Sequence, residues 1–316
     1  MMKKYIFGID IGATTIKSGL FTSDGELLEK WEIPTMTEGG PNAVLPNISA
    51  SIMGKCDERE IDRENIVGVG VGAPGSMNDE GVIFGAVNIG WKEMNLNTEL
   101  GDLLKLPVRA SNDANVAALG EIWQGAGKGY SNAVMVTLGT GVGGGIIING
   151  RILTGATGGG GEIGHIHVDD TEFEPCNCGN KGCLEQYASA SGIVRLARRR
   201  LAEDDSKSIL KNSGLSAKSV FDALKAGDET AGRIVEEFGE YLGKGLAIVA
   251  SVVNPQAFII GGGVSKAGDI LIKYIEPAFK KYAFPPCANA EFTIARLGND
   301  AGIYGAAALV LNEESE

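Results

Sequence analysis

Two stretches of the chain repeat one pattern: an apolar strand, a glycine-and-threonine turn, a returning strand and a hairpin signal. Residues 5–10 make the first strand, Ile11-Gly12-Ala13-Thr14-Thr15 the turn and residues 16–21 the return, with Asp24-Gly25 closing the unit. Residues 133–138, the turn Gly139-Thr140-Gly141-Val142-Gly143-Gly144-Gly145, residues 146–148 and Asn149-Gly150 repeat it. A duplication of this kind predicts two α/β lobes whose turns face each other across a cleft and clamp a triphosphate. Turn amides and threonine hydroxyls donate to phosphate oxygens, and Asp10 at the mouth of the first turn can hold a hydrated Mg²⁺. The nucleotide candidates are therefore Asp10, Gly12, Thr14, Thr15 and Lys17 in the first unit, and Thr137, Gly139, Thr140 and Gly141 in the second. A third run, Gly261-Gly262-Gly263, follows a strand at 256–260 and opens a helix where adenine or ribose could approach the backbone closely.

The chain's 316 residues exceed one average domain, and 44% hydrophobic content is enough for two cores. With 40 acidic against 28 basic residues, a net charge of −12 and no basic block, a nucleic-acid surface is not expected. Phosphates must then be met by backbone amides and a metal ion. No stretch of about 18 apolar residues occurs and MMKKYIFGID has no leader pattern, so a soluble, cytoplasmic protein without membrane contact is expected.

The segment 161–189, GEIGHIHVDDTEFEPCNCGNKGCLEQYAS, gathers Cys176, Cys178, Cys183 and both histidines of the chain. Zinc takes four N/S ligands, so the three cysteines and His165 read as a closed Cys3His structural site; a reduced, buried trio of cysteines or a small redox knuckle is the alternative. Cys56 and Cys287 stand apart, which suits a reducing compartment rather than a disulfide framework. Glu162 and Glu185 bracket the knuckle. Carboxylates held there can accept paired hydroxyl hydrogen bonds, which suggests a sugar ligand.

Elsewhere, residues 40–64 read as a helix leading into an apolar strand at 66–71 and the loop Gly72-Ala73-Pro74-Gly75. Asn88, within GVIFGAVNIGW, is a polar candidate for the pocket or an ordinary turn asparagine. Residues 108–110 form a strand, and Ser111-Asn112-Asp113-Ala114-Asn115 leads into a helix at 116–124. Ser111 or Asp113 could cap that helix, but a carboxylate at a strand-to-helix junction also stands where substrates bind in open α/β sheets. Residues 191–201, 219–226 and 229–253 are amphipathic helices with a possible dimer surface, and 298–311 is an alanine-rich terminal helix.

Taken in order, FGIDIGATTIK, GVGAPG, SNDANVAALGE, VTLGTGVGGGI, GEIGHI, CNCGNKGCLE and IIGGGVS resemble the ROK family of sugar kinases and repressors, over residues 6–307, and within it the ATP-dependent glucokinases. The resemblance implies an actin-like ATPase (ribonuclease H-like) fold with two lobes, each a mixed sheet flanked by helices, and a sugar in the cleft. The expected division is residues 1–122 with about 300–316 in a smaller lobe and 123–299 in a larger one that carries the zinc knuckle. It implies Asp113 as catalytic base, Asn112 as its sugar-binding neighbour, Glu162, His165 and Glu185 as sugar ligands, and His165, Cys176, Cys178 and Cys183 as zinc ligands. His167 is left without a role. Phosphoryl transfer from Mg-ATP to the 6-hydroxyl of glucose is the implied activity, in a dimer or tetramer. A kinase for N-acetylmannosamine, fructose or allose, and a non-catalytic sugar-sensing regulator, are the alternatives. The first turn has Ala13 where the family usually has a second glycine, tolerable if its φ is negative. Family repressors carry an N-terminal DNA-binding domain, for which a phosphate strand starting near residue 5 leaves no room, so an enzyme is expected.

Overall fold

The strand Ile66–Ala73, IVGVGVGA, is buried at every position, and its alternation of valine and glycine gives the first sheet two unlike faces. The structure is a computed structural model that describes residues 4–36, 43–86, 89–203, 207–212 and 214–311. In chain order, β1 (Tyr5–Ile11), β2 (Thr15–Thr22) and β3 (Leu27–Pro34) form a meander, and the helix α1 (Val44–Glu58) leads to β4 (Ile66–Ala73). Two short strands, β5 (Val82–Ile83) and β6 (Met94–Asn95), pair separately before α2 (Leu96–Leu104), β7 (Val108–Asn112) and α3 (Asp113–Gln124). The sheet order is β3-β2-β1-β4-β7, antiparallel in the meander and parallel from β1 to β7. The helix expected at 40–64 is shorter: α1 stops at Glu58, Glu60 takes a left-handed φ of 52°, and residues 37–42 lie outside the described residues.

Val69 and Val71 point with Phe7 and Ile9 into a core closed by Ile48 and Ile52 of α1 and Leu100 of α2. The glycines point the other way. A Cβ on Gly70 would lie 1.6 Å from the carbonyl oxygen of Ala306, and one on Gly72 2.5 Å from Val116, so α3 and the terminal helix approach the sheet backbone directly.

The second sheet starts with β8 (Ala133–Leu138), beside which β9 (Val142–Ile148) doubles back; the far end of β9 pairs with β10 (Arg151–Ile152). The helices α4 (Glu185–Ala188), α5 (Ala190–Glu203), α6 (Ala217–Lys225) and α7 (Glu229–Val253) follow. α7 starts where Asp228 accepts the Ala231 N–H and ends at Asn254 in the left-handed region, and its Ile234, Val235, Phe238, Leu242 and Leu246 are buried at helical spacing. β11 (Ala257–Gly261) runs parallel to β8 and to β12 (Glu291–Ile294). After β11 the glycine run opens a 3₁₀ segment, Gly263–Ala267, and the helix α8 (Ile270–Tyr282) begins only beyond Gly268, whose φ of 84° breaks the run. The chain closes with α9 (Ala301–Leu311). No helix among the described residues is long and apolar enough to cross a membrane.

Contacts divide the chain into two compact units: Met1–Ser131, Gly145–Gly161 and Arg296–Glu316 form the first, Asn132–Gly144 and Glu162–Ala295 the second. Residues 123–131, 145–161 and 296–299, assigned to the larger lobe from sequence, thus lie in the first unit. The reason is local packing. Trp123 meets Phe21 and Tyr304 with ring centroids 6.1 and 6.2 Å apart, and Gly158 packs so tightly on Met77 that a Cβ would come within 2.6 Å of its backbone. Glu121, fully buried on α3, accepts backbone N–H groups from Ala126 (2.8 Å), Arg296 (3.0 and 3.1 Å) and Leu297 (2.8 Å). One carboxylate therefore fastens both ends of the excursion into the second unit.

Glu121→Ala would leave three part-buried N–H groups without their acceptor, a loss on the order of 2–3 kcal/mol. Urea unfolding should show that drop, while Glu26→Ala, at an exposed turn, stays within about 0.5 kcal/mol of the parent. Equal midpoints for the two variants would contradict this assignment.

Candidate active site

In the first unit, the side-chain alternation of β1 puts Asp10 on the face that meets α9. Its carboxyl group lies against Gly302, where a Cβ would come within 2.6 Å of it. Asp10 pairs with Lys17 across the hairpin and with Gly72 on its other side. Burial pushes the Asp10 carboxyl up to about 6; the Lys17 charge opposes that rise and the Asp113 charge adds to it. The Lys17 ammonium donates to the carbonyl oxygen of Asn299 at 3.1 Å. The turn between them is closed by the Gly12 N–H donating to Thr15 O at 3.0 Å. Thr35 pins it from outside: its hydroxyl donates to Gly12 O at 2.7 Å and its N–H to Thr14 O at 3.0 Å. Ala13 is not among the residues with positive φ, so its methyl group introduces no backbone strain. Thr14 is exposed and Thr15 half-buried.

Asn112 is the N-cap of α3. Its Oδ1 accepts N–H groups from Ala114 (2.9 Å) and Asn115 (3.3 Å), and its amide donates to Gly75 O at 3.1 Å. The cap expected of Ser111 or Asp113 therefore falls to Asn112, which keeps one amide hydrogen for another acceptor. Asp113 occupies the first helical position, with Oδ1 accepting the Ala114 N–H at 2.8 Å. Burial raises its pKa against the hydrogen bonds from Ala114 and Asn112. The strand order places Asp10 and Asp113 on either side of β4, each a carboxylate at the carboxyl end of a parallel strand. Asn88 lies outside the described residues.

In the second unit, the Gly139 N–H donates to Gly141 O at 3.0 Å and Gly139 O accepts the Ala190 N–H at 2.8 Å, tying the turn to the start of α5. A Cβ on Gly141 would lie 2.5 Å from Oε2 of Glu185, so this turn rests directly on that carboxylate. Thr137 is half-buried on β8, opposite Gly261, while Thr140 is exposed. Gly262 has a φ of 81° and abuts the backbone of Leu138, where only glycine fits. Beyond it opens a cavity of about 280 Å³ lined by Ala190, Phe221, Lys225, Gly263, Val264 and Ala267.

Glu162 precedes a 3₁₀ turn, Ile163–His165. The two ring nitrogens of His165 look in different directions: Nε2 is 4.0 Å from Glu162 Oε2, while Nδ1 is 3.8 Å from both Cys176 Sγ and Glu185 Oε1. One ring nitrogen of His165 and the Sγ atoms of Cys176, Cys178 and Cys183 all lie within 4.8 Å of one another, with Cys178 and Cys183 at 3.6 Å. Four tetrahedral ligands with metal–sulfur bonds of about 2.3 Å have sulfurs about 3.8 Å apart, so the donor set could hold a metal ion. Gly179 and Gly182, at φ of 91° and 71°, make the turns that converge the thiols. His167 stays outside the cluster. Its Nδ1 is 2.8 Å from Lys181 O and its Nε2 2.8 Å from Asp170 Oδ1, and these acceptors, Asp170 first, raise its pKa. It braces the loop behind Cys183.

The sequence pattern of the ROK family matches residues 6–313. The chain belongs to the ROK family. It is 46% identical over 321 residues to a glucokinase of Halalkalibacterium halodurans, covering 100% of this chain and 97% of that protein. It is 37% identical to a glucokinase of Thermotoga maritima, covering 98% of each. Among solved structures it is similar to a ROK family glucokinase from Streptomyces griseus in complex with glucose and AMPPNP, with a TM-score of 0.72, 34% identity, and 96% and 98% of the two chains covered. The fold is the actin-like ATPase fold of ROK kinases. Sequence reading missed Thr35, Glu121 and the cluster formed by Asp169, Glu172 and Tyr187; the acidic run DDTE before the cysteines was the available signal for the last.

Two outcomes are expected of this site. Cys178 is exposed, so as a free thiol it would react at once with a thiol reagent; held by a metal it should be protected until a chelator is added. Immediate reaction in native protein would mean the cluster binds no metal. For Asp10, a folded pKa near 6 against an unfolded value of 3.8 means the folded state binds the extra proton. Its contribution to stability is full below pH 4 and lost as pH rises through 6, reaching a penalty on the order of 2–3 kcal/mol at neutral pH. Asp10→Asn should therefore stabilise the ligand-free chain by an amount that grows from pH 4 to pH 7 and then levels; a pH-independent difference would contradict the burial assigned to Asp10.

Proposed function

We propose that the chain is an ATP-dependent glucokinase that transfers the γ-phosphoryl group of ATP to the 6-hydroxyl of glucose. The observation that carries this reading is Asp113, a carboxylate at the β7–α3 junction whose hydrogen-bond donors among the described residues come from its own helix start, in a chain similar over its whole length to glucokinases. Asp113 accepts the proton of the 6-hydroxyl as that oxygen attacks the γ-phosphorus; ADP departs and glucose 6-phosphate forms. Asn112 offers its remaining amide hydrogen to the sugar, and Asn88 is a further sugar contact.

Glu162, Glu185 and the Nε2 side of His165 take the sugar hydroxyls. The amides and hydroxyls at Gly12, Thr14, Thr15, Gly139, Thr140 and Gly141 take the phosphates, with Lys17 and Thr137 behind the two turns. The glycines Gly261, Gly262 and Gly263 border the adenosine, and the cavity of about 280 Å³ beside Phe221 has room for a base. Mg²⁺ arriving with ATP supplies charge neutralisation, and Asp10 is the carboxylate that would hold it. His165, Cys176, Cys178 and Cys183 would hold zinc, whose contribution is to fix the ring direction of His165 and the loop leading to Glu185. Five cysteines without a disulfide suit a reducing, cytoplasmic setting. Ile248 and Val252, exposed one turn apart on α7, are where a dimer or tetramer contact is proposed.

Asp113→Asn is the experiment that tests the reading. Turnover is expected to fall by at least ~10²-fold, with the glucose Kd within a few-fold of the parent. Because burial raises the Asp113 pKa, the acid limb of kcat/KM for the parent should lie above the ordinary carboxylate value and vanish in the variant. Parental turnover in Asp113→Asn would reject the base.

A further inference from the structure

Glu185 opens α4, a helix of four residues, and a single turn does not hold its own shape in water. Its direction must be imposed from its flanks. On one side is Cys183, whose N–H donates to Gln186 Oε1 at 3.0 Å. On the other is Tyr187, with no exposed surface, stacked on Tyr241 at 3.9 Å between centroids and covered by the Arg195 guanidinium at 5.5 Å. The Tyr187 hydroxyl donates between two carboxylates, Asp169 Oδ2 at 2.8 Å and Glu172 Oε2 at 2.6 Å. It carries one proton, which the two oxygens share.

Neither carboxylate depends on that proton. Asp169 also accepts from the Thr171 N–H and hydroxyl (2.8 and 2.7 Å) and from Tyr241 (3.1 Å). Glu172 accepts from the Glu174 N–H at 2.9 Å and from Arg195. The loop 169–174 is thus a self-sufficient charged network, and what the tyrosine hydroxyl adds is a tie between that network and the turn bearing Glu185. Ser189 completes the tie by donating from its hydroxyl to Glu185 O at 2.7 Å.

We propose that Tyr187 is a positioning residue for sugar binding: a clasp to Asp169 and Glu172 that aims Glu185 independently of the metal cluster on its other flank. This rests on the reading of Glu185 as a sugar ligand. The metal and the clasp act on opposite sides of one short turn, so each holds part of the aim when the other is lost.

The test is Tyr187→Phe, which keeps the stacked ring and both satisfied carboxylates, with Glu172→Gln as a second variant that weakens the same clasp from its other side. Glucose affinity by calorimetry, glucose and ATP KM, kcat and bound metal per chain are measured for each, with and without chelator. The expected result is a glucose Kd and KM raised about tenfold, as for one lost hydrogen bond to a charged group, with kcat, ATP KM and metal content within about twofold. With chelator, the parent should keep weak glucose binding and Tyr187→Phe should lose it. An unaltered glucose Kd in both variants overturns the proposal, as does a loss confined to kcat or to metal content. If the parent phosphorylates a hexose other than glucose, the functional reading fails, and the Kd for that hexose still tests the clasp.

Discussion

The first unit depends on backbone meeting backbone. Added Cβ atoms would lie 2.1 Å from the Ile303 carbonyl oxygen at Gly8, 1.6 Å from that of Ala306 at Gly70, 2.3 Å from that of Ala301 at Gly120, and 1.5 Å from that of Val116 at Gly305. These four glycines let α9 sink onto β1, β4 and α3 with no side chain between. Interiors are close-packed and respond to a single methyl group, so this contact admits little substitution. It also positions two carboxylates. The strand face that meets α9 is the one on which Asp10 stands, and α3, which packs against α9, carries Asp113 at its start. The closeness that excludes side chains also excludes water from the Asp10 carboxyl, which lies against Gly302 of α9.

The second unit achieves its precision differently, by chaining short turns to one another. Gly141 rests on Glu185, Glu185 lies 2.8 Å from Cys176 Sγ and 3.8 Å from His165 Nδ1, and Glu162 faces the other ring nitrogen. The glycine-and-threonine turn, the cysteine and histidine cluster and two carboxylates are thus one contiguous group joined through Glu185.

Much of this was legible in the sequence because it is written in short, local patterns. The valine and glycine alternation of residues 66–73, the cysteine spacing, the glycine-and-threonine turns and the apolar periodicity of Glu229–Val253 each carry their own geometry. What stayed hidden depends on distant partners. Nothing local in ALGE says that Glu121 receives N–H groups from residues 296 and 297, so the unit boundaries given by contacts are not legible there. The sequence of α8 contains Pro277, which argues against a helix, and tertiary packing against α7 overrides it. The cap of α3 went to Asn112 because strand β7 runs to that residue, which leaves its side chain, rather than that of Ser111, level with the first free amides.

Activation of a sugar hydroxyl is measured most directly as ADP release at saturating ATP with glucose, other hexoses and 6-deoxyglucose. The expected result is that glucose gives the highest kcat/KM and that 6-deoxyglucose, which lacks the accepting oxygen, gives no turnover but competes with glucose. Turnover of 6-deoxyglucose at the rate of glucose, or no ADP release above background with any hexose, would contradict hydroxyl activation by Asp113.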